Sequence, residues 1–181
     1  MKKACVLLVN GFEEIEALSA VDLLRRAKVY VDTVSVEEEY TVNGAHGINV
    51  VTEDLFDEVN FEEFDMIILP GGGPGTKRLE AHAGVKSVLL KAIESEQLIA
   101  AICAAPTILG KMGLLKGRQA TCYPGLEGDL QGAVLSDKNV VVDGKIITSK
   151  GVGTALEFSL KLIEELIDDE KAKEIANEIV Y

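Results

Sequence analysis

Apolar runs alternate with amphipathic segments along this chain. Lys3 to Val9 is almost continuously apolar, the pattern of a strand covered on both faces. Glu13 to Ala27 follows, with Ile15, Leu18, Val21, Leu23 and Leu24 at helical spacing. Val29 to Val36 is rich in β-branched residues and predicts a second strand. Tyr40 to Val42 and Ile48 to Val51 flank Asn43-Gly44, a favoured tight-turn dipeptide, and predict a small hairpin or a pair of short strands. Phe64 to Leu69 is a further buried strand, running into a Gly-rich loop, Pro70 to Gly75. Val85 to Ser95 predicts a helix, Leu98 to Ile102 a strand, Pro106 to Met112 a short helix and Ala120 to Cys122 a short strand. Val140 to Thr148 reads as a hairpin around Asp143-Gly144. Two helices close the chain, Thr154 to Ile167 and Glu170 to Val180.

Strands and helices that alternate in this way predict an α/β fold, a mostly parallel sheet with helices on both faces. With no repeat or linker, residues 1–181 read as one domain. Ligands of such folds gather at the carboxyl ends of the strands. Three features fall there: Asn10-Gly11 with the start of the first helix, the Gly-rich loop after Leu69, and Cys103.

Charge and composition narrow the chemistry. A formal net charge of -12 argues against nucleic acid, whose phosphates need a basic surface. The three cysteines, Cys5, Cys103 and Cys122, form no CxxC, and there are only two histidines, His46 and His82. Neither a disulfide framework nor an iron, zinc or haem centre is expected. The apolar start ends at Asn10-Gly11 without a cleavage pattern, and no stretch is long enough to span a membrane; the expected address is the cytosol.

Cys103 ends an apolar strand, with Pro106 placed for the first turn of a helix. Two readings are open: a small packed side chain, or a nucleophile on a strand-to-helix elbow, its thiol pKa lowered by the helix dipole. Cys5 lies mid-strand and reads as core; Cys122 reads as packing or as a neighbour of the site. Glu13 and Glu14 are ordinary dipole complements at a helix start. Glu16 lies in a different register, one turn in. Near a thiolate it would hold a proton, and could donate to sulfur and shuttle protons. The loop LPGGGPG lacks the P-loop and GxGxxG patterns. Either it is a bare turn, or Gly72 joins the Ala104 amide as an oxyanion hole.

NGFEEIE after the first strand, DMIILPGGG, LIAAICAAPT and TSKGVGTALEF, in that order, resemble the ThiJ/PfpI superfamily over Lys3 to Ile167. The similarity is to the branch of the parkinsonism-associated protein deglycase and its bacterial relatives. The resemblance implies a flavodoxin-like homodimer with no cofactor. It puts the reactive cysteine on Cys103, its protonated glutamate partner on Glu16, and the oxyanion donors on Gly72 and Ala104. It implies substrates that are small reactive aldehydes such as methylglyoxal, or glycated proteins. It also implies oxidation of the cysteine to a sulfinate and chaperone behaviour.

Two positions depart from the family pattern. Tyr123 occupies a slot that is histidine in many members, and a tyrosine needs a large pKa shift to act as a base at neutral pH. His46 aligns with an arginine of some relatives that approaches the site across the dimer; here it either supplies an imidazole or is an exposed loop residue. The protease branch has a histidine directly after the cysteine, where this chain has Ala104. The amidotransferase relatives have a downstream histidine, and no histidine follows Cys103 here. The expected function is a cysteine-dependent, cofactor-free glyoxalase or deglycase. The alternative is a redox-sensing stress protein or chaperone without small-molecule turnover.

Overall fold

A computed structural model covers residues 1–181. Its strands are β1 (Lys3–Leu8), β2 (Tyr30–Ser35), β3 (Thr41–Asn43), β4 (Asn49–Val51), β5 (Asp54–Leu55), β6 (Met66–Leu69), β7 (Leu98–Ile102), β8 (Gln119–Ala120), β9 (Val134–Leu135), β10 (Val140–Asp143) and β11 (Ile146–Ser149). Its helices are α1 (Glu14–Arg26), α2 (Gly73–Ala81), α3 (Ala83–Glu94), α4 (Pro106–Lys111), α5 (Ala155–Leu166) and α6 (Asp169–Glu178).

Seven strands form one sheet in the order β10-β11-β7-β6-β1-β2-β5. Every neighbouring pair is parallel except β10 with β11. The segment β2-β1-β6-β7-β11 is the flavodoxin order. The chain reverses its winding between β1 and β6, and the crevice above that switch point is where such sheets bind ligands.

Strand periodicity divides the core between two faces. Ala4, Val6 and Leu8 pack with Leu24, Phe158, Leu162 and Ile175, from α1, α5 and α6. Cys5, Leu7 and Val9 pack with Leu79, Leu89 and Ile108, from α2, α3 and α4. Both faces are apolar because both are covered, as the unbroken apolar runs require. No helix is long and apolar enough to cross a membrane.

Local departures from the sequence reading have identifiable causes. The Gly-rich loop is shorter than expected, because α2 begins at Gly73 with Pro74 in its first turn, where a missing N–H costs nothing. The Asn43-Gly44 dipeptide is not a two-residue turn: Asn43 pairs with Asn49, leaving Gly44 to Ile48 as the connection. Asn43 is held extended by Asn10, whose side chain accepts from its N–H (2.8 Å), while its carbonyl accepts from Gly11 (2.8 Å). The strand expected at Ala120–Cys122 stops at Ala120, and the Thr121 N–H donates instead to the Thr148 hydroxyl (3.0 Å). The short strands β5 and β9 have too few residues to show a period.

Candidate functional site

The carboxyl ends of β1, β6 and β7 converge on Cys103. Its φ of 65° is left-handed, a strained conformation for a residue with a Cβ. The strain is held at both sides of the residue. The Cys103 N–H donates to the Ser149 carbonyl (2.9 Å), and its own carbonyl accepts from the Tyr123 N–H (2.8 Å). The turn passes through Ala104 and Ala105 into α4, the strand–cysteine–helix order expected from the sequence. Of the three cysteines Cys103 alone is partly exposed; Cys5 and Cys122 are buried.

Glu16 is fully buried beneath it, in the first turn of α1. One carboxyl oxygen, Oε2, accepts from the Gly71 N–H (2.8 Å). The other, Oε1, has no partner, and the carboxyl is within hydrogen-bonding reach of the thiol. Gly71 permits this approach: a Cβ there would stand 2.5 Å from the Cys103 Cβ and 2.7 Å from Glu16 Oε2. The N–H groups of Gly72 and Ala104 face the sulfur and donate to no other group. Both are therefore free for an oxygen formed on an adduct of Cys103. Gly72 has a φ of 93°, which lets its N–H turn inward at the cap of α2.

Burial raises the Glu16 carboxyl to about 7, against the opposing pull of the Gly71 N–H. Burial and the nearby Glu16 charge push the Cys103 thiol up to about 12, while Gly72 and Ala104 pull it down. A thiol lowered by a helix dipole is not what the structure holds. α4 is only six residues long, and burial beside a carboxylate outweighs its field. At neutral pH the proton rests on sulfur, with Glu16 placed to receive it.

The raised Glu16 carboxyl also makes stability depend on pH. Its pKa is about 7 folded against an ordinary 4.5, so its contribution is complete below about pH 4.5 and is lost as pH rises through 7. Glu16→Gln keeps an acceptor for Gly71 and has no charge to bury. Its melting temperature is expected to rise relative to wild type between about pH 5 and pH 8. A constant difference across that range would show that Glu16 does not titrate as described.

Gly151, in the turn after β11, also borders the thiol. A Cβ there would stand 3.8 Å from both Cys103 Sγ and Glu16 Oε1, and 3.4 Å from Tyr123 Cδ2. Its missing side chain leaves space beside Cys103 and Glu16. Sequence reasoning missed it because a glycine in SKGVGT has no chemical signal of its own. Gly151→Ala is expected to lower turnover of a bound aldehyde about tenfold or more by displacing it from the sulfur. Unchanged kinetics in a folded variant would place the substrate elsewhere.

Tyr123 stands at the rim with its ring toward Gly151, and is half exposed. The structure brings His46 to Glu14 and Glu13 rather than to Cys103. Its Nδ1 lies 2.8 Å from Glu14 Oε2 and 3.5 Å from Glu13 Oε2, and its N–H donates to Glu14 Oε1 (2.6 Å). These bonds raise the His46 pKa, the Glu14 hydrogen bond first, and hold Glu14 low against its burial. Glu13, Glu14 and His46 have the spacing of a metal-ligand set, but both Glu14 oxygens are already bonded within it. Glu13 and Glu14, the helix-start carboxylates of the sequence reading, are buried, while Ile15 and Leu18 of the apolar stripe face outward.

A family model described as DJ-1/PfpI matches residues 2–165. Protein dj-1beta of Drosophila melanogaster is 38% identical over 177 residues, 97% of this chain and 95% of that protein. The glutathione-independent glyoxalase DJR-1.2 of Caenorhabditis elegans is 36% identical over 177 residues, 96% of this chain and 94% of that protein. Protein DJ-1 homolog B of Arabidopsis thaliana is 39% identical over 99% of this chain, but the chain spans only 41% of its length. Among solved structures, oxidized Toxoplasma gondii DJ-1 superposes with a TM-score of 0.96 at 39% identity, covering 100% of this chain and 99% of that one.

Proposed function

We propose, from the premise that the chain belongs to the DJ-1/PfpI family, that it is a cysteine-dependent glyoxalase or deglycase working without a cofactor. The observation that carries this reading is the buried Glu16 carboxyl within hydrogen-bonding reach of the Cys103 thiol. The substrates are 2-oxoaldehydes such as methylglyoxal, or their early adducts on proteins. The glutathione-independent glyoxalase of C. elegans supports this class, since here Cys103 takes the place of a soluble thiol.

The Cys103 sulfur bonds to the aldehyde carbon as Glu16 takes the thiol proton. The oxyanion that forms accepts from the Gly72 and Ala104 N–H groups and then takes that proton, giving a hemithioacetal. Glu16 next removes the proton from the aldehyde carbon, a proton is returned to the adjacent carbonyl carbon, and the hydroxyl proton passes from the first oxygen to the second. The product is a hydroxy-acid thioester, an isomer of the hemithioacetal, and water hydrolyses it to lactate and free Cys103. Tyr123 and Gly151 bound the space over the sulfur. Acid quench during turnover, followed by mass spectrometry, is expected to find the Cys103 peptide heavier by one methylglyoxal. An unmodified Cys103 alongside continuing lactate formation would remove the covalent scheme.

The same reading includes a homodimer in which 1–181 acts as one domain. Ile15, Leu18, Ile48 and Val152 are exposed apolar residues on the His46 side of the site, and a second copy would cover them. Three free cysteines suit a reducing compartment, the cytosol.

A second reading, redox sensing, is favoured by the exposure of Cys103 relative to Cys5 and Cys122. Peroxide would oxidise it to a sulfinate whose oxygens accept from Gly72, Ala104 and protonated Glu16. Graded peroxide followed by mass spectrometry is expected to add oxygen at Cys103 first. Equal oxidation of all three cysteines would exclude a selective sensor.

A further inference from the structure

At the opposite end of the sheet from Cys103, β2 breaks its own pattern. Val34 and the Cys5, Leu7, Val9 series belong to the same apolar face. Asp32 occupies that face too, opposite Cys5 in the β1–β2 register. It is only 4% exposed, and its Oδ1 has no hydrogen-bond partner. A buried carboxyl without a partner is costly, and a natural core retains one where something else satisfies it. The groups around it do so only through a proton shared with Asp54. Asp54 of β5 is a second carboxyl within hydrogen-bonding reach, and Cys5 is a buried thiol. Glu53 is saturated by Arg25 (2.6 Å), the Thr33 N–H (2.9 Å) and the Thr33 hydroxyl. Arg25 is committed to Glu53 and the Val31 carbonyl.

Asp32 and Asp54 border a cavity of about 400 Å³, within the size range of small-molecule sites. Tyr30, Val59 and Phe64 give it apolar walls, and Glu58 and Glu63 add carboxylates. Lys3 and the chain's first residue, Met1, are the cationic groups of the wall, and Lys3 is held by Glu63 at 3.2 Å. The cavity acids do not bring three ligand groups together as a metal site requires. A carboxyl pair with apolar walls and further acids suits an alkyl chain carrying ammonium groups.

We infer that this cavity binds a small alkyl diamine or polyamine, one ammonium seated on the Asp32–Asp54 pair and the methylene chain against Tyr30, Val59 and Phe64. Burial, with the Asp54 hydrogen bond, raises Asp32 to about 7, so near neutral pH the pair holds a proton. An arriving ammonium replaces that proton, which passes to the buffer.

Spermidine is titrated calorimetrically into the whole protein at pH 7, in phosphate and in HEPES. One saturable site is expected, with heat that depends on the buffer because a proton is released. Asp32→Asn is expected to weaken binding at least about tenfold and to abolish the buffer dependence. If Asp32→Asn does not fold, Asp54→Asn replaces it, with the same expectation. No saturable heat, or equal binding by wild type and variant, would overturn the assignment. Saturable calcium binding without saturable spermidine binding would overturn it too.

Discussion

Cys103→Ser is expected to lose methylglyoxal turnover by about 10³-fold or more while melting at the wild-type temperature. Serine has nearly the shape of cysteine, and the bonds that hold the strained backbone, to Ser149 and from Tyr123, involve only main-chain atoms. The fold therefore has no reason to change. The chemistry does: a hydroxyl is a weaker nucleophile than a thiol and is harder to deprotonate with a carboxyl near 7. An ester is also a poorer outcome than a thioester for the hydrolytic step. Steady-state kinetics with a parallel thermal melt check this. A folded variant that still makes lactate at near the wild-type rate would show that Cys103 is not the nucleophile.

Glu16→Gln is expected to lower turnover by about 10² to 10⁴-fold, the range of general acid–base contributions. Glutamine can still accept from Gly71, so the geometry survives the change. What is lost is the group that, in the proposed mechanism, takes the thiol proton and moves protons between the two carbons. Wild-type turnover is expected to fall as pH drops below about 7, because a protonated Glu16 cannot receive the thiol proton. That acid limb is expected to vanish in the variant. A rate–pH profile run on both proteins checks both points. Equal rates with an unchanged acid limb would assign the proton transfers to another group.

Much of this site was legible in the sequence. The apolar runs gave the parallel strands because two-sided burial leaves no polar face. Cys103 and Glu16 stood out because each broke a local pattern, one at the end of a strand and one out of register with its acidic neighbours, but their pairing came from the family resemblance and not from spacing. The buried roles of Glu13 and Glu14 were not legible, because they depend on His46, distant in sequence and brought in by the β3–β4 connection. The outward turn of Ile15 and Leu18 was hidden for the same reason, since helical spacing does not say which stripe the sheet covers. The upward push on the thiol was not legible because the helix after Cys103 could be counted but the burial of its surroundings could not. Gly151 and Asp32 carry their meaning in what surrounds them: space over a sulfur in one case, missing partners in the other.

Lactate formed per mole of protein from methylglyoxal, in buffer free of amines and added thiols, decides whether Cys103 turns over. The account predicts many equivalents of lactate from the wild-type protein and none above background from Cys103→Ser. Loss of one equivalent of aldehyde per chain without lactate would contradict it, leaving Cys103 as a trap or sensor and not a catalyst.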